Sequence, residues 1–487
     1  MYQARIKIRL FYIVSALFIL LNAFFIVMEH SMIINTLPLV LGIVLLAIYA
    51  FDKILYLVVF FTPLSLSLSE LVPGLSVDLS LPTEPLLFGL LLIFIIKYCA
   101  TGKFDRDIMW HPVTLAIFLS LFWILLTSLT SSMPIASLKF FLSRVWFVVG
   151  FYLITAKLFE SGKNIEKYIW FYTIPLLIVI FYATYRHLGY GLWDKQAAHI
   201  VVNPFYNDHT SYGAVIAMYL PFLFGFSFTK IYTPSTKIFV RIVLGILLVG
   251  LTLSYARAAW VSMMAALAIW AIIRLKIRFQ LLFTTFLGLL ALIFVFQSPI
   301  LMYLEHNNTQ SSANLGDHLS SISNISTDAS NLERINRWSC AIRMFEDKPI
   351  FGYGPGTYMF KYAAYQLKAD RTIISTNSAN RGNAHSEYLG PLAESGLMGL
   401  LSFLILMATV IYTAIHAYSR TNDKRLKTLV MSSLLGLITY YIHGTLNNFL
   451  DTDKLSVPFW GFTAIIVAID IYTRKAALNE ALPEIKA

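Results

Sequence analysis

The sequence predicts an all-α, polytopic membrane fold, and three observations carry that reading. Of its 487 residues, 58% are hydrophobic and only 13% charged, about half the charge of a soluble domain. Apolar runs of about 17–22 residues recur along the chain, the length a helix needs to cross a hydrocarbon core of roughly 30 Å. Lipid offers no hydrogen-bond partners to the edge of an open sheet, so repeated runs of this kind are helices. Together these give about 12–14 transmembrane helices and one large loop domain outside the cytoplasm. The chain divides into an N-terminal bundle of about eleven spans at 1–298, a hydrophilic loop at 299–394, and C-terminal helices with a short tail at 395–487.

Taken in order, spans are expected near 10–28, 33–50, 53–69, 85–100, 113–130, 138–158, 168–187, 211–229, 238–254, 258–273, 279–298, 395–416, 428–446 and 457–473. The first follows Arg5, Lys7 and Arg9 as a signal peptide would, but it is long and no small-residue cleavage site follows it, so it reads as a span. Basic residues then fall in alternate connections: Lys53; Lys97, Lys103 and Arg106; Lys157, Lys163 and Lys167; Lys230, Lys237 and Arg241; Arg274, Lys276 and Arg278; Arg420, Lys424, Arg425 and Lys427; Arg474 and Lys475. Because cytoplasmic connections collect Lys and Arg, both termini are expected in the cytoplasm, with the connection 254–257 and the long loop outside. The net charge of +11 is therefore topological and does not point to nucleic acid. Cys99 and Cys340 fall in different compartments, which leaves no disulfide framework. Neither an internal repeat nor an inverted pair of broken helices, the mark of many transporters, is visible.

Within the loop, 307–330 is rich in Ser and Asn and predicts an irregular segment. Arg334, Trp338, Ile342 and Phe345 recur at helical spacing, so an amphipathic helix is expected up to Lys348. A second helix is expected over 358–368. Between them Gly352, Gly354 and Gly356 resemble a phosphate cradle, but no Lys-Ser/Thr follows and no βαβ context exists, so the run reads as a tight turn. Tyr353, Tyr358, Phe360, Tyr362 and Tyr365 either stack on sugar faces or pack the loop, and packing is the default.

Several residues stand out chemically. Arg257 sits between two apolar runs at the outer interface, where an arginine either snorkels to water or grips an anion, and its planar fork suits phosphate oxygens. Lys139 and Arg144 lie in the outer half of the sixth span, where a charge facing lipid would cost several kcal/mol. Lys139 can snorkel, while the deeper Arg144 lines a polar cavity or makes a structural contact. Arg334 and Arg337, three apart, share a helix face that is either solvated or part of an anion clamp. His385 lies about ten residues before a span, and an imidazole of ordinary pKa is a natural general base for a sugar hydroxyl, although a lone histidine is as readily structural. No second histidine or carboxylate stands at zinc-binding spacing, so no metal and no cofactor are expected.

These residues also fall into a known pattern. His385, Ser386, nine residues, then Gly396 and Gly399 fit H-[NSQ]-x9-G-x-x-[GTY], so the chain resembles the bacterial O-antigen ligases. Upstream, Ser254, Arg257 and Trp260 resemble the S-x-x-R-x-x-W segment of the wider ligase and polymerase superfamily. Arg334 and Trp338, followed by Pro349, Gly352 and Gly354, are similar to its loop signature R-x3-W, then P-x-x-G-x-G. The resemblance covers residues 200–450, and the twelve spans usual for ligases are fewer than the fourteen placed above.

The resemblance implies a GT-C-type, inverting, metal-independent glycosyltransferase of the bacterial inner membrane with a periplasmic site. Its donor would be a glycan on undecaprenyl diphosphate. Its acceptor would be a sugar hydroxyl of lipid A-core in a ligase, or a second lipid-linked glycan in a polymerase of O-antigen or exopolysaccharide. By position, His385 would remove the acceptor proton, while Arg257 and Arg334 would hold the diphosphate, with Arg337, Arg144 and Glu387 as further substrate-binding candidates. Of the two acceptors, the ligase-type histidine pattern favours lipid A-core. A polyprenyl-glycan flippase or other transporter is the rival from a different class, and the bulky outer loop and the lack of repeats speak against it.

Overall fold

The computed structural model describes residues 2–29, 50–68, 79–102, 105–229, 232–277, 329–371 and 382–485, with positions 35, 37, 42, 280, 284 and 375. Within them the regular structure is helical, apart from two-residue strands Leu66–Ser67 (β1) and Ser80–Leu81 (β2), which pair antiparallel. The all-α membrane fold is therefore what the sequence adopts. The chain forms two compact units, Met1–Leu57 and Val58–Ala487. The first contains α1 (Tyr2–Glu29) and the start of α2 (Phe51–Phe61).

Among the described residues, nine helices are long and apolar enough to cross a membrane. They are α3 (Thr83–Thr101), α4 (Pro112–Leu129), α5 (Pro134–Leu158), α6 (Lys163–Tyr190), α7 (His209–Phe228), α8 (Pro234–Leu253), α9 (Arg257–Arg274), α11 (Leu389–Arg420) and the apolar part of α13 (Asp453–Ile485). The loop helix α10 (Ala329–Asp347) precedes α11, and α12 (Lys424–His443) follows it. Spans expected at 33–50 and 279–298, and the Ser/Asn-rich stretch 307–328, lie outside the described residues.

The span expected at 53–69 is corrected. Its helix stops at Phe61 and passes through a 3-10 turn, Thr62–Leu64, into β1. Pro63 cannot continue the α-helical ladder. Lys454 Nζ takes up the carbonyls of Thr62 and Ser65 at 3.2 and 2.8 Å, and the Asp453 carboxylate accepts from Ser65 Oγ and Thr83 Oγ1 at 2.8 and 2.5 Å. Apolar composition alone does not register a helix end that a distant lysine caps.

Local chemistry sets the other starts. Pro112, Pro134 and Pro234 occupy first-turn positions, where a missing N–H costs nothing. Asp208 caps α7 and Asp423 caps α12 by accepting from backbone N–H groups of the first turn. Helices α7, α12 and α13 form the centre of the bundle. Every residue of α12 from Leu429 to Tyr441 is buried.

One end of the bundle gathers ion pairs between the expected cytoplasmic connections. Asp470, fully buried, meets His111, Arg420 and Arg474 at 3.2, 2.9 and 2.7 Å, while Lys157 meets Asp105 and Arg425 meets Glu166, each at 2.7 Å. The other end carries the start of α11, the connection 444–452 and the turn 253–257. There α10 packs through Cys340, Ala341 and Met344 onto Tyr353, Tyr358, Tyr362, Ala384 and Ala393, so these three tyrosines are spent on packing.

The glycine run is a tight turn. Gly352, Gly354 and Gly356 all have positive φ, and Gly354 N–H donates to the carbonyl of Glu394 at 2.8 Å. The helix expected over 358–368 is corrected to one α-turn, Tyr358–Lys361, and a 3-10 turn, Tyr362–Tyr365. Arg343 explains the break, because it draws the Tyr365 carbonyl and the Asp370 carboxylate inward at 2.7 and 2.5 Å.

Candidate active site

Arg257 opens α9 after a sharp turn. Tyr255 is left-handed (φ 51°), a conformation uncommon outside glycine, and its hydroxyl donates to the Leu192 carbonyl at 3.1 Å. The turn lies against α7 at Gly213, where a Cβ would stand 2.6 Å from that of Ala256. Only glycine permits that approach, and it brings the first turn of α9 to the head of α7. Arg257 is partly buried.

His385 is also left-handed (φ 47°) and is fixed from three directions. Its N–H donates to Asn383 Oδ1 at 3.1 Å, and its carbonyl accepts from Trp338 Nε1 of α10 at 3.3 Å. Ser386 Oγ then accepts from the N–H groups of Tyr388 and Leu389. Glu387 ties the segment to α12 and its following connection. Its N–H donates to the Gly444 carbonyl at 2.8 Å, and its Oε1 accepts from Tyr440 OH, Phe449 N–H and Leu450 N–H at 2.5, 2.8 and 2.9 Å.

The first turns of α10 carry the loop guanidiniums. Arg337, only 6% exposed, donates through Nε to Glu333 at 2.6 Å and stacks over Tyr362 at 4.0 Å. Its guanidinium also lies directly against Gly382. Arg334, three residues earlier and partly buried, acts electrostatically on His385 together with Arg337. Burial, and then repulsion from these two guanidiniums, lowers the imidazole to about 4, against the opposing pull of Asp208 and Glu333.

Two groups absent from the sequence reading complete this end. His443, 1% exposed at the end of α12, lies beside the backbone of Ala258 and within electrostatic reach of Asp208 and Arg334. Its ring thus stands against the Arg257 turn. Asp208, the α7 cap, is partly exposed. Burial favours its protonation, yet hydrogen bonds from His209 and Thr210 hold the carboxyl well below the usual range. The sequence signal for Asp208 was an N-cap signature, Asp followed by an apolar run, which marks a helix start and not chemistry. His443 sits on an apolar face with no local signal at all.

Arg144 occupies a different place. It lines a cavity of about 80 Å³ with Phe140, Glu387, Glu394, Ser395 and Trp460. It donates to the Leu450 carbonyl and stacks on Phe140 at 4.9 Å. Glu387, two residues from His385, also lines this cavity, while Lys139 is exposed.

Gly396 joins two of the motifs. It breaks α11 with φ 68° and ψ −167°, and a Cβ there would lie 2.2 Å from the Ile350 carbonyl oxygen. The next N–H, of Leu397, donates to the Pro349 carbonyl at 3.0 Å.

A multi-pass helical bundle that gathers guanidiniums and an imidazole at one end defines a membrane protein with a polar site at its rim. Residues 242–404, a third of the chain, match the family model described as O-antigen ligase. The similarity to that family thus spans most of α8, all of α9, the loop helix α10 and the first half of α11. An uncharacterized protein of Haemophilus influenzae is 24% identical over 279 residues, which make up 54% of this chain and 62% of that one. Arg257, Arg334, Arg337, His385 and Glu387 fall inside the matched region; Arg144, Asp208 and His443 fall outside it.

Proposed function

We propose that the protein is an inverting glycosyltransferase that moves a glycan from undecaprenyl diphosphate to a sugar hydroxyl of lipid A-core, that is, an O-antigen ligase. What supports this reading is that the Arg257 turn, α10 with Arg334, and His385 stand at the same end of the bundle, with Trp338 of α10 hydrogen-bonded to the His385 carbonyl and His443 beside Ala258 of the turn. The opposite end holds the basic connections and their ion pairs. By the positive-inside rule that end faces the cytoplasm, with both termini, and the site faces the periplasm. The bundle 1–298, the loop 299–394 and the C-terminal helices 395–487 then each contribute to one site, and both lipid substrates reach it without leaving the bilayer.

The chemistry follows from the groups. The guanidiniums of Arg257 and Arg334, with Arg337 beside them, offer forked donors to the diphosphate and stabilise the charge that develops as it leaves. His385, on the acceptor side, takes the hydroxyl proton as the oxygen attacks the anomeric carbon. One displacement inverts that centre. Glu387 holds the His385 segment in place, and Arg144 supports the wall behind it.

Reconstituted protein in liposomes, given a polyprenyl-diphosphate glycan and a lipid A-core acceptor, is the test. Arg257→Ala, Arg334→Ala and His385→Ala should each lower transfer by at least about a hundredfold. Lipid translocation that survives His385→Ala, with no transfer by the parent protein, would instead identify a flippase. A polymerase is the second reading within the superfamily. In a deletion strain, bare core with long chains left on the carrier supports ligation, and single repeats on core support polymerisation.

A further inference from the structure

We propose that the tip of the glycine-rich turn, Pro349, Ile350 and Phe351, is seated in the bilayer, where it lies among the acyl chains of the leaflet on the site's side and anchors the hydrophilic loop to lipid. The inference does not depend on the transferase reading, because it concerns only where this part of the loop stands relative to the membrane.

Two contacts fix the level of the tip along α4, a span that starts at the ion-paired end, next to His111, and runs toward the site. Tyr353 meets the far end of that helix, where its carbonyl accepts from Ser132 N–H at 2.9 Å and from Ser132 Oγ at 2.8 Å. Phe351 instead stacks on Trp123, with ring centroids 5.8 Å and planes 12° apart. Trp123 precedes Leu129, the last residue of α4, by a turn and a half, which at 1.5 Å per residue puts it about 9 Å below the helix end. Leu129 and Ile135, on either side of the α4–α5 turn and beyond Trp123, are exposed. Apolar surface that a bilayer must cover therefore continues past the level of the tip.

The tip also adjoins the lipid-facing surface of two spans. Ile350 is 64% exposed and Phe351 is exposed beside it. The Pro349 carbonyl accepts from the N–H of Leu397, and Leu397 begins an exposed apolar stripe on α11 that continues through Leu401, Leu404 and Ile405 at helical spacing. On α4, which carries Trp123, Leu115, Leu119 and Phe122 are exposed in the same way. Irregular backbone is tolerated at hydrocarbon depth only where protein meets its polar groups. Around the break in α11, the carbonyls of Ala393, Glu394 and Ser395 accept from Tyr353 N–H, Gly354 N–H and Trp123 Nε1 at 3.3, 2.8 and 2.7 Å. Gly352 N–H donates to the Lys348 carbonyl at 3.1 Å, and Pro349 has no N–H to satisfy. Lys348 reaches over the Tyr353 ring at 4.4 Å, so its charge stays out of the acyl chains.

Ile350→Asp, studied in nanodiscs, separates lipid from water. At a position this exposed an aspartate in water is harmless, whereas among acyl chains it is costly. The tip should therefore lift, and hydrogen exchange at the Gly352 and Gly354 amides should accelerate by about tenfold or more. Should that variant misfold, a nitroxide on Ile350→Cys gives a second reading in a Cys99→Ser background, Cys340 being buried. Its collisions with oxygen, relative to those with a water-soluble nickel chelate, should match a nitroxide at Leu401→Cys and exceed severalfold one at Glu346→Cys, an exposed position before the turn. Unchanged exchange in Ile350→Asp, or a nitroxide at 350 that behaves as at 346, overturns the proposal. Few collisions with either reagent would show the tip covered by protein, such as a second copy of the chain, and overturn it as well.

Discussion

Glu387 offers a quantitative test of how the His385 segment is held. Its buried Oε1 is the shared acceptor for Phe449 N–H, Leu450 N–H and Tyr440 OH. Replacing it with alanine leaves two backbone amides and a phenol without that partner in a dry environment. A hydrogen bond to a charged group contributes about 1.5–3 kcal/mol, so opening of each amide should become easier by that amount. Since 1.4 kcal/mol is tenfold in an equilibrium, hydrogen exchange at Phe449 and Leu450 should accelerate about ten- to a hundredfold. The measurement is exchange by mass spectrometry in nanodiscs, with peptides over 429–441 as the unchanged reference. Glu387→Gln keeps a carbonyl acceptor and should give less than half that effect on a logarithmic scale. Both variants should lose kcat while donor affinity holds, because the displaced group is His385. Unchanged exchange at 449–450 in Glu387→Ala would refute the tether. Loss of transfer in Glu387→Gln without any change in exchange would place the carboxylate in the chemistry.

Three further outcomes are expected. Because burial and two guanidiniums hold His385 at about 4, kcat/KM for donor should stay flat from pH 8 down to about 5. A bound diphosphate cancels the cationic field and raises the imidazole, so the acidic limb of kcat should lie at higher pH; coincident limbs would contradict this. Arg337→Ala strands the buried Glu333 carboxylate and should lower stability by about 3–5 kcal/mol, whereas Arg334→Ala should act on donor KM, a contrast that melting curves and kinetics check together. Gly396→Ala forces a side chain into the Ile350 carbonyl at a backbone conformation reserved for glycine, costing more than about 2 kcal/mol, and a wild-type melting temperature would exclude that account.

Much of the architecture was legible because the bilayer imposes it. Helices α3 to α9 lie where apolar length placed them, since only closed hydrogen bonding survives in lipid. The failures have physical causes of another kind. The 53–69 span is interrupted by Pro63, and Lys454 and Asp453, some 390 positions away, fix the chain beyond it. The second loop helix is cut by Arg343, which pulls a carbonyl out of register. Of the candidate site, Arg257, Arg334 and His385 can be singled out from the sequence as residue types, whereas the places of Asp208 and His443, a helix cap and a buried ring, depend on how α7, α9 and α12 meet.

The family motifs themselves are joints as much as chemistry, and this decides how a match to them should be read. Gly396 of the histidine pattern exists to let Pro349 and Ile350 of the glycine pattern approach. Trp338, the aromatic of the loop signature, holds the carbonyl of His385, and Ser254 Oγ donates to the Leu251 carbonyl to shape the turn before Arg257. The loop signature and the histidine pattern, far apart in sequence from the Arg257 turn, are thus fastened to each other through the very residues that make them recognisable, while Ser254 shapes its own turn. A chain could keep every one of these joints and still lack a competent base, since the joints fix where the imidazole stands but not the charge around it. That charge comes chiefly from Arg334 and Arg337, with Asp208 and Glu333 opposing them, and of these only Arg334 belongs to a motif. On the transferase reading proposed above, the electrostatics of the site, and not the motif match, is where activity within such a scaffold is decided.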